Sequence, residues 1–201
     1  MIQYIIDSAA KNTSNGRGSW ILHLKEKQAL RDGGNSVDAF DWDTTSTLKI
    51  HYHRFAAANR PMDDDGLAIA FKPVRDGVID GLSQQFNQKF DDGDQSRFFF
   101  VYSQSKAPSP VFADTILVTI DLLPVAMPYS SVVMRWGVAP ELVDRDSLIA
   151  TLGDARALRI DEITREIATS RQGTKKVSAL QKDLKKKQKA IGACVAELVF
   201  G

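Results

Sequence analysis

Three aspartates stand side by side in "RPMDDDGL", and a second acidic group, "FDDGD", follows about thirty residues later. Adjacent carboxylates repel one another, so each group needs something to offset its charge. A divalent cation is one such partner. Mg²⁺ takes oxygen ligands in an octahedron, usually one or two protein carboxylates with water and substrate phosphate. A site that cleaves phosphodiesters draws such ligands from more than one element. Asp63 and Asp65 are two residues apart, a spacing that on an extended segment aims both to one side and Asp64 to the other. Asp91, Asp92 and Asp94 form the second group. Between the groups Lys72, Asp76 and Asp80 recur at helical steps, with Lys72 expected to project toward the acidic end. Helix capping offers a different account of "DDD", since free amides and the helix dipole favour Asp at a helix start. "DDGD" is also ordinary turn composition.

The elements that would hold these residues can be read from periodicity. "IQYII" reads as a short strand, followed by a polar, Gly-containing loop. Ser19 is placed to cap a helix through "WILHLKEKQALRD" that ends at Gly33 and Gly34. In "TLKIHYHRF", Leu48, Ile50 and Tyr52 share one face, and Lys49, His51 and His53 the other. Leu67, Phe71, Val74, Val78 and Leu82 predict a helix after the aspartates, with Pro73 expected to kink it or split it in two. "RFFFVYSQ" and "DTILVTIDL" read as strands, and "SSVVMRWGV" as a further one. From Glu141 onward the pattern is helical. Gly153 is expected to stop one helix and Asp154 to cap the next, which carries Ile160, Ile163 and Ile167. The final helix has an apolar seam of Val177, Leu180, Leu184, Ile191, Cys194 and Leu198, with Lys187 in a seam position. The fold class expected is α+β: a mixed sheet with flanking helices over residues 1–125, a Pro-containing connector over 126–140, and a helical extension over 141–201.

Composition agrees with a folded domain: 43% of the 201 residues are hydrophobic and 25% charged. The amino terminus is too short in apolar residues and too acidic for a signal peptide, and no run suits a membrane span. Cys194, the single cysteine, allows no internal disulfide, and its apolar seam does not suit a nucleophile. The cytosol is the expected compartment. The net charge of +1 hides an asymmetry: Arg171 to Ala190 carries eight Lys/Arg against one Asp, which with Glu197 leaves −5 for residues 1–170. A basic tail on an acidic body is a pattern that meets nucleic acid, and is also what a solvated helix face looks like.

The stretch "DDDGL…K…RDGVIDGL…FDDGD…YSQSK" resembles the RusA family of Holliday junction resolvases, in particular its phage-encoded relatives. That family has an Asp-x-Asp-Asn-Leu motif, a helix with a lysine, an acidic turn and a Tyr-x-Gln-x-Lys pattern. The resemblance covers roughly residues 1–123 and centres on Arg60 to Lys106. It implies that Asp63, Asp65 and Asp92 bind Mg²⁺ or Mn²⁺ and activate a water, with Asp91 or Asp94 as alternatives to Asp92. It further implies that Lys72 neutralises charge in the transition state, and that the protein is a homodimer nicking branched DNA in recombination or repair. Lys49, Arg60 and Lys106 are expected to face that DNA, together with Lys182, Lys185, Lys186 and Lys189 of the tail. Gly66 stands where the family has Asn, and "SQQFNQK" lengthens the approach to the acidic turn. Two readings therefore stand: a metal-dependent, structure-specific endodeoxyribonuclease, and a non-catalytic DNA-binding or assembly protein with the same fold.

The remaining candidates have plainer expectations. His51 and His53 are expected as polar surface, His23 as solvent-facing, and Trp20, Trp42 and Trp136 as packing residues. Phe98, Phe99 and Phe100 are expected in a buried strand.

Overall fold

The computed structural model describes residues 1–8, 20–94, 96–123, 131–134, 136–137, 139–170 and 173–200. Ser19, Pro124, Pro128 and the side chains of Trp20 and His23 lie outside the described residues, and so do the expectations that fall on them. The chain forms two units: Met1–Ala107 with Asp114–Glu141, and Pro108–Ala113 with Leu142–Gly201.

The first unit is built on a mixed sheet. Its strands are β1 (Ile2–Ile6), β2 (Thr47–Ala56), β3 (Phe98–Lys106), β4 (Thr115–Leu123) and β5 (Ser131–Val133), in the spatial order β1-β4-β2-β3-β5. β4 runs antiparallel to both β1 and β2. β2 and β3 are parallel and in register from Leu48↔Phe98 to Ala56↔Lys106, and β3 and β5 are also parallel. Parallel neighbours require a crossover, and α2 (Asp64–Gln85) supplies it between β2 and β3. The alternation read in the sequence sets the core: Leu48, Ile50, Tyr52, Phe98, Phe100, Tyr102, Ile116, Val118 and Ile120 point to one face. There they meet Leu67, Phe71, Val74, Val78 and Leu82 of α2, all of them buried. Trp42 joins the same core and contacts Phe86, Phe90 and Phe98. Phe99 is buried as well, so the whole Phe98–Phe100 run is interior.

α1 (Trp20–Gly34) lies against α2 at a distance that only glycine permits. A Cβ on Gly77 would stand 2.0 Å from the Arg31 carbonyl oxygen, and one on Gly34 2.3 Å from that of Val74. The ion pair between Arg31 and Asp80, at 2.6 Å, closes this contact on its exposed side. α2 is a single helix through Pro73, so the expected split does not occur. The amide that proline lacks would have met the Ile69 carbonyl one turn back, where the Ile69 side chain is half exposed.

The second unit pairs α3 (Arg145–Thr169) with α4 (Lys175–Phe200). Asp144 caps α3 by accepting from the Ser147 amide. The expectation of a break at Gly153 with a new cap at Asp154 is corrected: α3 continues through both. One interior glycine costs a helix about 1 kcal/mol, and the buried line Leu148, Leu152, Arg156, Ile163 runs past it. Val177 and Cys194 of the expected seam are buried, whereas Leu198 is exposed. Arg156 donates to the Val111 carbonyl at 2.7 Å and to Cys194 Sγ at 2.9 Å, which ties α3 to α4 and to the one-turn 3₁₀ helix Pro110–Phe112. Among the described residues no helix is long and apolar enough to cross a membrane.

Candidate functional site

The acidic motif lies where β2 hands over to α2. Asp63 has extended backbone, with φ −66° and ψ 165°, and its Oδ1 accepts from the Gly66 amide at 2.7 Å, so it is the N-cap. Asp64 and Asp65 are already helical, which corrects the expectation of an extended motif with Asp63 and Asp65 on one side. The positive end of the helix dipole and the free amides of the first turn offset the charge of all three. Asp64 and Asp65 are exposed, and their side chains carry no hydrogen bond or ion pair among the described residues.

A short strap holds the motif to the sheet. Gln104 of β3 donates from Nε2 to the Met62 carbonyl at 2.6 Å and accepts the Met62 amide on Oε1 at 3.0 Å. Arg54 of β2 donates from Nη1 to Gln104 Oε1 at 3.1 Å and to the Arg60 carbonyl at 3.4 Å. Arg60 and Lys106 are exposed at this same end of the sheet, beside the acidic start of α2. Lys49 is not: it lies near the beginning of β2 and pairs with Asp121 at 3.4 Å.

The second acidic group does not join the first. In a parallel β-α-β unit the start of the helix follows the carboxyl end of the first strand, and the loop after the helix feeds the amino end of the next. Asp63–Asp65 and Asp91–Asp94 therefore flank opposite ends of the β2–β3 pair. Asp92 is held by Arg75 at 2.7 Å. Arg75 is in turn fixed by a hydrogen bond of 3.2 Å to the Tyr102 hydroxyl and by the face of Phe100. About 15 Å of helix separates Asp65 from Arg75 at 1.5 Å per residue. Burial raises the Tyr102 hydroxyl above its usual range, with the Arg75 charge working against that rise. Asp91 and Asp94 are used within their own turn: Asp91 accepts from the Gly93 amide, and Asp94 from Ser96. Lys72 pairs with Asp76 at 3.3 Å, one helical turn further from the acids, so it does not project toward them as expected.

These placements test the implied metal. Among the described residues no group of three His, Cys, Asp or Glu side chains is placed to hold a metal ion. Asp63 is engaged as a cap and Asp92 by a guanidinium, so the set Asp63, Asp65 and Asp92 does not fit a shared Mg²⁺ or Mn²⁺ as arranged.

On the opposite face of the sheet, the expectation of a polar histidine surface is corrected. His53 is 0% exposed, His51 is half-buried, and both are hydrogen-bonded to the serines of "YSQSK". Burial is the largest influence on both rings and lowers His51 to about 4 and His53 to about 3.

Periodicity alone left Arg54, Arg75, Tyr102 and Gln104 out of the site. A signal was present for three of them. Tyr102 and Gln104 continue the alternation of Phe98 and Phe100, so a strand with an apolar face presents a hydroxyl and an amide that need partners. Arg75 falls between Phe71 and Val78 on the apolar stripe of α2, where a charge also needs one. Compared with known proteins, the chain matches no family model, no curated protein and no solved structure.

Proposed function

We propose that this chain is a RusA-like protein that acts on branched DNA, with the end of the sheet bearing Arg54, Arg60, Lys106 and the acidic start of α2 as its working end. The observation that carries the reading is the Gln104–Met62 pair of hydrogen bonds. Two motifs that the resemblance matched separately, "DDDGL" and "YSQSK", are here one physical unit. Positive groups beside exposed carboxylates at one edge suit a phosphate backbone, the cations attracting it and the carboxylates barring close approach until their charge is met. The enzymatic form of this reading is metal-dependent phosphodiester cleavage, in which Asp65 is the one carboxylate of the implied set Asp63, Asp65 and Asp92 that neither a helix cap nor an ion pair engages. The exposed lysines of α4, Lys182, Lys185, Lys186 and Lys189, are proposed to hold duplex arms through phosphate. A homodimer would supply the twofold that paired nicks require.

The second reading, a non-catalytic DNA-binding or assembly protein of the same fold, is favoured by the Arg75–Asp92 ion pair. That pair occupies the carboxylate the enzyme would use as its third ligand. Incubating the purified protein with labelled four-way junctions, forks and plain duplex, with and without Mg²⁺ or Mn²⁺, separates the two. Metal-dependent nicking that Asp65→Asn abolishes supports the nuclease. Junction binding without nicking supports the second reading. Equal affinity for junction and duplex without nicking removes the branched-DNA nuclease and leaves a general DNA-binding protein; binding to none of these DNAs removes DNA as the partner in both readings.

A further inference from the structure

A buried carboxamide has two N–H groups and two lone pairs to satisfy, and it usually does so with scattered partners. Gln104, 3% exposed, places half of that capacity on one residue, Met62, through both its carbonyl and its amide. This is the exchange of bonds that a neighbouring strand residue would make, reproduced by a side chain. Met62 lies in no strand, yet it is fastened to the sheet immediately before Asp63. Asp63 then caps α2, and the direction in which Asp64 and Asp65 leave the helix follows from that anchor. Arg54 completes the clamp by occupying Gln104 Oε1 from the other side while holding the Arg60 carbonyl.

We infer that Gln104 is the positioning residue of this site: through Met62 it fixes where the exposed carboxylates of Asp64 and Asp65 are presented to the phosphates of a DNA substrate. The inference rests on the reading proposed above, and its consequence for the backbone stands apart from that reading.

The experiment compares wild type, Gln104→Met and Gln104→Glu in the full chain by amide hydrogen exchange and by junction binding and cleavage. Gln104→Met keeps the shape and loses both bonds, so exchange at the Met62 amide should rise about tenfold, the worth of one hydrogen bond, with Tyr52 and Val101 amides unchanged. Gln104→Glu retains the acceptor and should hold Met62 exchange within about threefold of wild type. In cleavage, Gln104→Met should lower kcat about tenfold while junction affinity stays within about twofold, with partial recovery in Gln104→Glu. Unchanged Met62 exchange in folded Gln104→Met overturns the inference. So does a rise shared equally by the β2 and β3 amides, which would make Gln104 a general core residue. Should Gln104→Met not fold, Gln104→Asn, which keeps the amide but withdraws it from Met62 by one methylene, decides in its place: a rise in exchange confined to the Met62 amide supports the clamp, and unchanged Met62 exchange overturns it. If the wild type cleaves nothing, the nuclease reading fails while Met62 exchange still decides the positioning.

Discussion

The Nδ1 of His53 lies 2.6 Å from the Oγ of Ser103, in the middle of a chain of side chains whose protons are set from one end. Ser105 donates its hydroxyl to the Lys106 carbonyl at 3.1 Å, so it must accept from His53 Nε2, 2.9 Å away. His53 Nδ1 then carries no proton and accepts from Ser103, whose oxygen accepts in turn from His51 Nε2 at 2.5 Å. A second proton on His53 would leave two donors facing each other at Ser103.

Folding therefore excludes protons that the unfolded chain accepts. Both rings titrate well below 6.5 when folded, His51 at about 4 and His53 at about 3. Their contribution to stability is whole above about pH 6.5 and declines as the pH falls toward those values, because the unfolded state binds the protons first. Thermal unfolding between about pH 7 and pH 5, above the carboxylate range, should show a falling Tm. His53→Gln should lower the Tm at neutral pH and flatten this slope; an unchanged slope would mean the rings titrate alike in both states.

The Arg75–Asp92 pair predicts that Asp92 matters to stability and not to cation binding. Asp92→Asn should lower unfolding stability by about 1 kcal/mol, the loss from a partly buried ion pair with one partner left behind. Mn²⁺ titration of the same variant should match wild type. Loss of Mn²⁺ affinity with stability unchanged would return Asp92 to the role of a ligand.

Two glycine substitutions should act in opposite directions. Gly77→Ala drives a methyl against the Arg31 carbonyl at 2.0 Å, where backbone cannot yield cheaply, and should cost about 2–3 kcal/mol in urea unfolding. A Cβ on Gly192, inside α4, meets nothing within 4 Å, and alanine there should add up to about 1 kcal/mol. A neutral Gly77→Ala would show that α1 and α2 are not packed closely.

The α4 lysines are best tested by substitution in the intact chain. Ending the chain near Gly173 would remove α4 with its buried Val177 and Cys194, and α3 would lose its partner. Converting Lys182, Lys185, Lys186 and Lys189 to Gln should weaken duplex binding and make its salt dependence shallower, by about 0.9 for each phosphate no longer neutralised. A slope equal to that of wild type would leave these side chains as solubilising charge.

Local pattern alone determined a good deal. Alternation in "TLKIHYHRF", the aromatic run of β3 and the stripe from Leu67 to Leu82 specify their elements and inward faces, because side-chain period is a property of each segment by itself. The start of α2 at the aspartates was legible for the same reason, capping being a matter of a few neighbouring residues. Which elements pair was not legible. Only the parallel pairing of β2 with β3 puts the two acidic groups at opposite ends of the crossover, and only the fold brings Arg75 to Asp92. Alternation likewise put His51 and His53 on one face without revealing that Ser103 and Ser105 would line up beside them, since that depends on the register of two strands about fifty residues apart in the chain. Gly153 stayed helical because the line from Leu148 to Ile163 gains more from burial than one glycine costs. Propensity is summed along the chain, while burial is granted by distant partners, and where the two disagree burial decides.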